Sequence, residues 1–160
     1  MRYRIPLLVL AFVLSLLTAR ADGAWIKGPS KERLEFKRTA QGKIYIPAEL
    51  KGRSLFFLVD TGGMTMIDLS VARELGFAPT SAGDVATTWA GSDGERFVLH
   101  VDLNLGKFAV GNLQISSLDL GYLKGLEKPE IAGVIGADLL ILFRARIDYG
   151  DSTLTLNRPK

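Results

Sequence analysis

The chain has 160 residues, of which 48% are hydrophobic and 23% charged, a composition that suits one globular domain rather than several. It has no cysteine and one histidine, which excludes disulfides and thiolate metal sites and makes a zinc centre a poor hypothesis. Three of the 20 basic residues are Arg2, Arg4 and Arg20, so the rest of the chain balances 17 basic against 17 acidic residues, and no basic cluster suggests nucleic-acid binding.

Residues 1–21 have the pattern of a signal peptide. Two arginines precede an apolar stretch from Ile5 to Leu17, and Ala19-Arg20-Ala21 has the small-x-small pattern that signal peptidase reads. We therefore expect cleavage after Ala21 and a periplasmic or secreted protein. The alternative is an uncleaved membrane anchor, although the apolar stretch is shorter than the roughly 20 residues that a spanning helix needs. Only that alternative would place the protein at a membrane.

Residues 22–32 are predicted to be a polar lead segment, and residues 33–160 the folded domain. The alternation of Glu32 to Lys37 predicts a strand, with Lys43 to Pro47 as its hairpin partner. A turn at Lys51-Gly52-Arg53 then leads into Ser54 to Val59. The continuous apolar run of this last segment is typical of a strand buried on both faces.

Asp60-Thr61-Gly62 follows that strand and is the most informative motif of the chain. A carboxylate at the end of a buried strand, followed by a small hydroxyl residue and glycine, occupies a tight turn where two backbones can approach closely. Two such turns face to face would bring two carboxylates within about 3 Å, where one shared proton makes one a general base and the other a general acid. The motif occurs once, so a second copy of the chain must supply the partner. The competing interpretation is an ordinary turn in which Asp60 bonds its own backbone.

The elements after the motif are strands and two short helices. Asp68 is expected to cap a helix from Leu69 to Leu75 that ends at Gly76, and Asp138 to cap a second helix rather than to serve as a second catalytic acid. The remaining predicted strands are Val85 to Trp89, Glu95 to Leu103, Lys107 to Val110, Leu113 to Leu120, Arg144 to Tyr149 and Ser152 to Leu156, with a hairpin tip at Ala90 to Gly94 and an apolar, glycine-bearing segment at Ile131 to Gly136.

His100 is the only histidine, and no Gly-x-Ser-x-Gly motif accompanies it. A Ser/His/Asp triad therefore has no support, and we interpret His100 as a strand surface residue.

Three separated segments resemble the retropepsin-like family of single-domain aspartic proteases, in particular its exported bacterial members. They are Phe57 to Gly63 with the helix after it, the glycine-tipped hairpin around Gly91, and Val134 to Leu140. Their order and spacing agree over roughly residues 33–157. The resemblance implies a mostly β fold, a closed antiparallel acid-protease barrel with one or two short helices.

The resemblance also implies roles for individual residues. Asp60 would be catalytic, Thr61 would brace the active-site loop of the second copy, and Gly62 would permit the close approach. Gly63 departs from the family pattern, in which alanine, serine or threonine is usual. The flap over a bound substrate would consist of Trp89, Ala90, Gly91 and Ser92, and the glycine crossing segment of Val134, Ile135 and Gly136. Trp89 has an equal alternative as a half-buried strand aromatic.

The expected function is that of an exported aspartic endopeptidase. It would act as a homodimer on a polypeptide substrate, with water activated between Asp60 and its dimer mate, and it would need no metal or cofactor. One alternative is a non-catalytic peptide-binding module with the same fold, which Gly63 favours because glycine offers no hydroxyl to the carboxylate. Another is a membrane-anchored regulatory protease.

Overall fold

The computed structural model describes residues 23–77, 97–121 and 130–160. The predicted signal peptide, the predicted strand Val85 to Trp89 and the hairpin tip Ala90 to Gly94 lie outside these ranges. Within them, the helices are α1 (Leu69–Glu74) and α2 (Ala137–Leu142), and the strands are β1 (Trp25–Lys27), β2 (Lys31–Glu35), β3 (Lys37–Arg38), β4 (Ile44–Leu50), β5 (Arg53–Val59), β6 (Met66–Asp68), β7 (Phe97–Leu105), β8 (Phe108–Leu118), β9 (Ile131–Ile135), β10 (Arg146–Asp148) and β11 (Thr153–Asn157).

Six strands close into a barrel. Around the ring, β4 pairs with β5, β5 with β9, β9 with β6, β6 with β8, β8 with β7, and β7 with β4. The predicted fold class, a mostly β closed barrel with short helices, is confirmed. The barrel is not antiparallel throughout, because the β5–β9 and β6–β8 pairs are parallel. The long connections between these strands allow parallel pairing, which a short hairpin cannot produce.

The strand predicted at Glu32 to Lys37 is divided between two sheets. Only β3 pairs with β4, whereas β2 pairs with β11, which also pairs with β10 to form a separate three-stranded sheet. Phe36 marks the division, since its side chain is buried and its N–H donates to the carbonyl oxygen of Ser152 at 3.0 Å. The polar lead segment, residues 22–32, contains β1 and the start of β2.

Gly111-Asn112 forms a bulge where the sequence predicted a turn between two strands. β8 runs through it as one strand of 11 residues. Val101 to Leu103 on β7 lies opposite Val110 to Leu113 on β8, so β8 carries one extra residue. Asn112 has a φ of 50°, and its N–H donates to Asp102 Oδ1 at 2.8 Å. The carboxylate replaces the missing ladder partner, and the strand therefore continues.

β5 is buried on both faces, as its apolar run predicts. Leu55, Phe57 and Val59 pack in the main core, whereas Phe56 and Leu58 belong to a second cluster on the other face. A strand covered on both sides has little freedom to shift, because any slip exposes apolar side chains. The residue that follows β5 is therefore held in place by packing.

The first predicted helix is confirmed and the second needs a correction. Asp68 caps α1 with its Oδ1, which accepts the N–H groups of Ser70 and Val71, and Gly76 follows with a φ of 68°. The N-cap of α2 is Gly136, which makes no side-chain capping bond, so the prediction that Asp138 caps this helix was wrong. Among the described residues, no helix combines the length and apolar character that a membrane crossing requires.

Candidate active site

The candidate site lies where the parallel strands β5 and β9 end. Their carboxyl ends point the same way, so the loop from Asp60 to Thr65 meets the junction between β9 and α2. The backbone N–H of Asp60 donates to the carbonyl oxygen of Ile135 at 3.0 Å and extends the β5–β9 pairing by one step. The backbone of the predicted catalytic residue is thereby fixed to the strand beside it.

The Asp60 carboxylate has one oxygen bound and one open. Oδ1 accepts the N–H of Gly62 at 2.8 Å, the local turn bond of the competing interpretation. Oδ2 accepts no hydrogen bond from the described part of the chain, and the residue is exposed in a single protomer. The turn bond orients the carboxylate and leaves its second oxygen available for chemistry.

Gly63 lies directly against this carboxylate. A Cβ at position 63 would lie 2.9 Å from Asp60 Oδ2 and 3.3 Å from its Cγ. At Gly62 a Cβ would find only ordinary contact, 3.5 Å from Asp60 Oδ1. Within one protomer the carboxylate therefore occupies space that a side chain at position 63 would take. The close approach to a second copy at Gly62 stays a prediction.

The outer side of the loop is open to solvent in the single protomer. Thr61 is exposed, and its hydroxyl has no hydrogen-bond partner in residues 23–77, 97–121 and 130–160. Met64, two residues beyond Gly62, is 39% exposed despite its apolar side chain. The loop thus presents a carboxylate, an unpaired hydroxyl and an apolar side chain on one exposed segment.

The inner side of the loop contacts the glycine crossing segment. Val134 and Ile135 are buried in the two hydrophobic clusters. A Cβ on Gly136 would lie 2.3 Å from the carbonyl carbon of Met64 and 2.5 Å from the carbonyl oxygen of Gly63. The two backbones touch here, and only glycine leaves room for them.

Thr65 and Asp138 join the loop to α2, a contact that the sequence analysis missed. Asp138 Oδ1 accepts the N–H of Thr65 at 2.9 Å and its hydroxyl at 2.7 Å. The Thr65 hydroxyl in turn accepts the N–H of Gly136 at 3.0 Å. The available signal was a threonine between two methionines and an aspartate within an apolar segment, but neither pattern indicates its partner.

The remaining predicted residues are the flap segment and His100. The flap residues Trp89, Ala90, Gly91 and Ser92 lie outside the described residues. His100 is exposed on β7, with its Nδ1 2.9 Å from Asn112 Oδ1. Across the described ranges, no group of three or more histidine or carboxylate side chains is arranged to hold a metal ion.

A closed six-stranded barrel with one Asp-Thr-Gly turn at the end of β5 defines a retropepsin-like acid-protease domain. The chain belongs to the aspartyl protease family, whose model matches residues 46–139. That match contains the Asp60-Thr61-Gly62 turn, the barrel strands β5 to β9 and the start of α2. No curated protein sequence matches the chain.

Two solved structures have a similar fold. One is a retropepsin-like aspartic protease from Rickettsia conorii, with 22% identity, a TM-score of 0.50, and coverage of 85% of this chain and 94% of that one. The other is the retroviral protease-like domain of Ddi1 from Leishmania major, with 17% identity, a TM-score of 0.50, and coverage of 72% and 90% respectively. At these identities the likeness shows the fold alone.

Proposed function

We propose that this protein is an exported aspartic endopeptidase that is active as a homodimer. The observation that carries the proposal is the Asp60 carboxylate, fixed by Gly62 through one oxygen and open at the other. Membership of the aspartyl protease family supports the reaction class. The signal-like pattern of residues 1–21 supports export.

In the proposed reaction, two Asp60 carboxyl groups share one proton. The ionised group takes a proton from water as the water oxygen attacks the peptide carbonyl carbon, and the protonated group donates its proton to the carbonyl oxygen. The tetrahedral intermediate then collapses. The carboxyl that gained the water proton donates it to the leaving nitrogen as the C–N bond breaks, and the other carboxylate takes a proton from one hydroxyl of the intermediate, which restores the shared proton. No covalent bond to the enzyme forms at any step.

The second copy is needed because one protomer offers one carboxylate at a motif of this kind. In a two-fold dimer the same surface of each protomer meets its counterpart, so a residue near the axis lies close to its own copy. The exposure of Asp60 and Thr61 supports such an arrangement. The substrate we propose is a polypeptide bound in extended form, with apolar side chains next to surfaces such as Met64.

The test is peptide cleavage by the mature protein and by Asp60→Asn. The variant keeps the shape of the side chain and an oxygen for the Gly62 bond, so we expect a folded protein without measurable cleavage. Asp148→Asn is a matched control, because Asp148 Oδ1 accepts the N–H of Gly150 at 3.1 Å in the same Asp-x-Gly geometry, in the separate three-stranded sheet. Cleavage by Asp60→Asn at the wild-type rate would falsify the proposal.

A non-catalytic peptide-binding module remains the second candidate, because Gly63 supplies no hydroxyl to Asp60 Oδ2. Isothermal titration with the same peptides separates the two, since a binding module saturates with intact peptide while an endopeptidase yields fragments.

Mass spectrometry of the mature N-terminus separates an exported protein, which would begin at Asp22, from a membrane-anchored regulatory protease that keeps its leader.

A further inference from the structure

The hydrogen bonds of Asp138 lead to the active-site loop. Its Oδ1 accepts both the N–H and the hydroxyl of Thr65, at 2.9 and 2.7 Å. The helix that contains Asp138 has Gly136 as its N-cap and no side-chain capping bond, so helix capping does not explain the carboxylate. Thr65 is only 3% exposed, and its polar groups therefore depend on partners inside the protein.

The Thr65 hydroxyl makes two hydrogen bonds, one as donor and one as acceptor. It donates its proton to Asp138 and accepts the N–H of Gly136 at 3.0 Å. A hydroxyl that donates and accepts at once has one favourable orientation, because rotation loses one of the two bonds. Thr65 thus ties its own loop to two residues of the β9–α2 junction.

Two backbone hydrogen bonds complete the connection. The N–H of Ala137 donates to the carbonyl oxygen of Gly63 at 2.7 Å, and the N–H of Asp60 donates to that of Ile135 at 3.0 Å. Successive parts of the loop are therefore bound to one segment, residues 135–138. Since a Cβ on Gly63 would lie 2.9 Å from Asp60 Oδ2, any displacement of the loop at Gly63 changes the surroundings of the carboxylate.

We propose that Thr65 and Asp138 are positioning residues that set the geometry of the Asp60 carboxylate. The inference rests on the proposed function, in which Asp60 is catalytic. Neither residue needs to contact the substrate, because each acts through the loop backbone. A displacement of about 1 Å at a reacting group can cost about 100-fold in rate, so a small relaxation of this loop has a large kinetic effect.

The experiment compares two disruptive variants with two conservative ones. Thr65→Val removes the hydroxyl and Asp138→Leu removes its acceptor, each with a side chain of similar size. Thr65→Ser keeps the hydroxyl, and Asp138→Asn keeps one acceptor oxygen. The matched control is Thr39→Val, because Thr39 is also buried and its hydroxyl also accepts a backbone N–H, that of Lys43 at 3.2 Å, in the β3–β4 turn.

We expect kcat to fall about 100-fold in Thr65→Val and Asp138→Leu while KM stays within about threefold, when each is assayed well below its unfolding midpoint. The conservative variants should keep kcat within about threefold. Thr39→Val should lose stability and retain kcat. A purely structural role predicts instead that all the disruptive variants lose activity only in proportion to their unfolded fraction, and that outcome would overturn the inference.

Amide hydrogen exchange, measured by NMR on the same variants, needs no turnover. Thr65→Val should speed exchange at Gly136 and Ala137, and Thr39→Val should not. If the wild-type protein cleaves no peptide, the proposed function fails, and exchange alone then decides whether Thr65 holds this loop. Unchanged protection at both amides in Thr65→Val would overturn the inference, whatever the activity.

Discussion

At the scale of single residues, the site depends on two glycines that face different atoms. Gly136 faces backbone, since a Cβ there would meet the carbonyl carbon of Met64 at 2.3 Å. Gly63 faces the end of a side chain, the Asp60 carboxylate. A carboxylate can rotate away from a methyl group, whereas a backbone held by β-sheet bonds and a buried threonine cannot. The two positions therefore differ in how much they tolerate a side chain.

Gly136→Ala should destabilise the protein by about 3 kcal/mol or more, because overpacking against backbone forces the loop and the β9–α2 junction apart. Chemical denaturation measures the free energy of unfolding. Gly63→Ala is the comparison, and we expect it to change that free energy by less than about 1 kcal/mol because only the carboxylate has to move. Equal losses in the two variants would contradict the contrast between backbone and side-chain contacts.

At the scale of elements, the buried carboxylate of Asp68 joins β6, α1 and the end of β8. It is 1% exposed, and its Oδ1 accepts bonds from the backbone of Ser70 and Val71 and from the Ser70 hydroxyl. Its Oδ2 accepts the N–H of Leu120 at 3.0 Å, two residues beyond β8. One side chain thus caps a helix and fixes the exit of a barrel strand.

Asp68→Ala should lower the free energy of unfolding by about 3 kcal/mol, because it removes a helix cap and leaves the buried N–H of Leu120 without its acceptor. Asp68→Asn keeps one oxygen and should lose less. Asp102→Ala is the matched control, since that exposed carboxylate accepts one backbone N–H among the residues that the structure describes, that of Asn112. Denaturation curves give the comparison. If Asp68→Ala lowers the free energy of unfolding no more than Asp102→Ala does, the hydrogen bond from Leu120 to Asp68 contributes nothing to stability.

Asp148, in the β10–β11 hairpin, should make stability depend on pH. The N–H of Asp151 lowers the pKa of Asp148 below its ordinary value of 3.8; partial burial opposes this, and Arg146, the N–H of Gly150 and Arg33 support it. A carboxyl with a lowered pKa stabilises the fold above its unfolded pKa, and this contribution is lost as the pH falls through the folded value.

Asp148→Asn should therefore be less stable than wild type near neutral pH, and the difference should shrink below about pH 4. Thermal unfolding across that range measures it. Because the largest cause is a hydrogen bond rather than a charge, the difference at neutral pH should persist in about 1 M salt. Its disappearance in salt would show instead that the charges of Arg146 and Arg33 are the main cause.

Local features of these elements could be predicted from sequence, and long-range pairings could not. The burial of β5, the cap at Asp68 and the place of Asp60 at a strand end depend on neighbouring residues. The pairing of β2 with β11 and the bond from Thr65 to Asp138, 73 residues away, depend on which distant segments meet. Gly111-Asn112 was predicted as a turn because the same residues suit turns and bulges, and only the register with β7 decides between them.

At the scale of the whole molecule, one barrel carries half of the proposed catalytic centre. The ring of six strands is closed on itself, so the barrel is complete in one protomer. The Asp60 turn, in contrast, is exposed, and its Oδ2 accepts no hydrogen bond from residues 23–77, 97–121 and 130–160. If activity requires two copies, then an inactive protomer that still pairs must remove activity from its partner.

Mixing wild type with Asp60→Asn tests this requirement. With a fixed amount of wild type and an equal amount of the variant, random pairing leaves about half of the wild-type chains in fully active dimers, and a threefold excess of variant leaves about a quarter. Cleavage should fall in the same proportion, provided that sedimentation shows dimers at the concentration used and the subunits exchange before the assay.

Asp148→Asn added in place of Asp60→Asn should leave the rate undiminished, because mixed dimers then contain two intact Asp60 carboxyl groups. A wild-type rate that does not change with excess Asp60→Asn would mean that each protomer works alone, and the second carboxylate would have to be sought within the same chain.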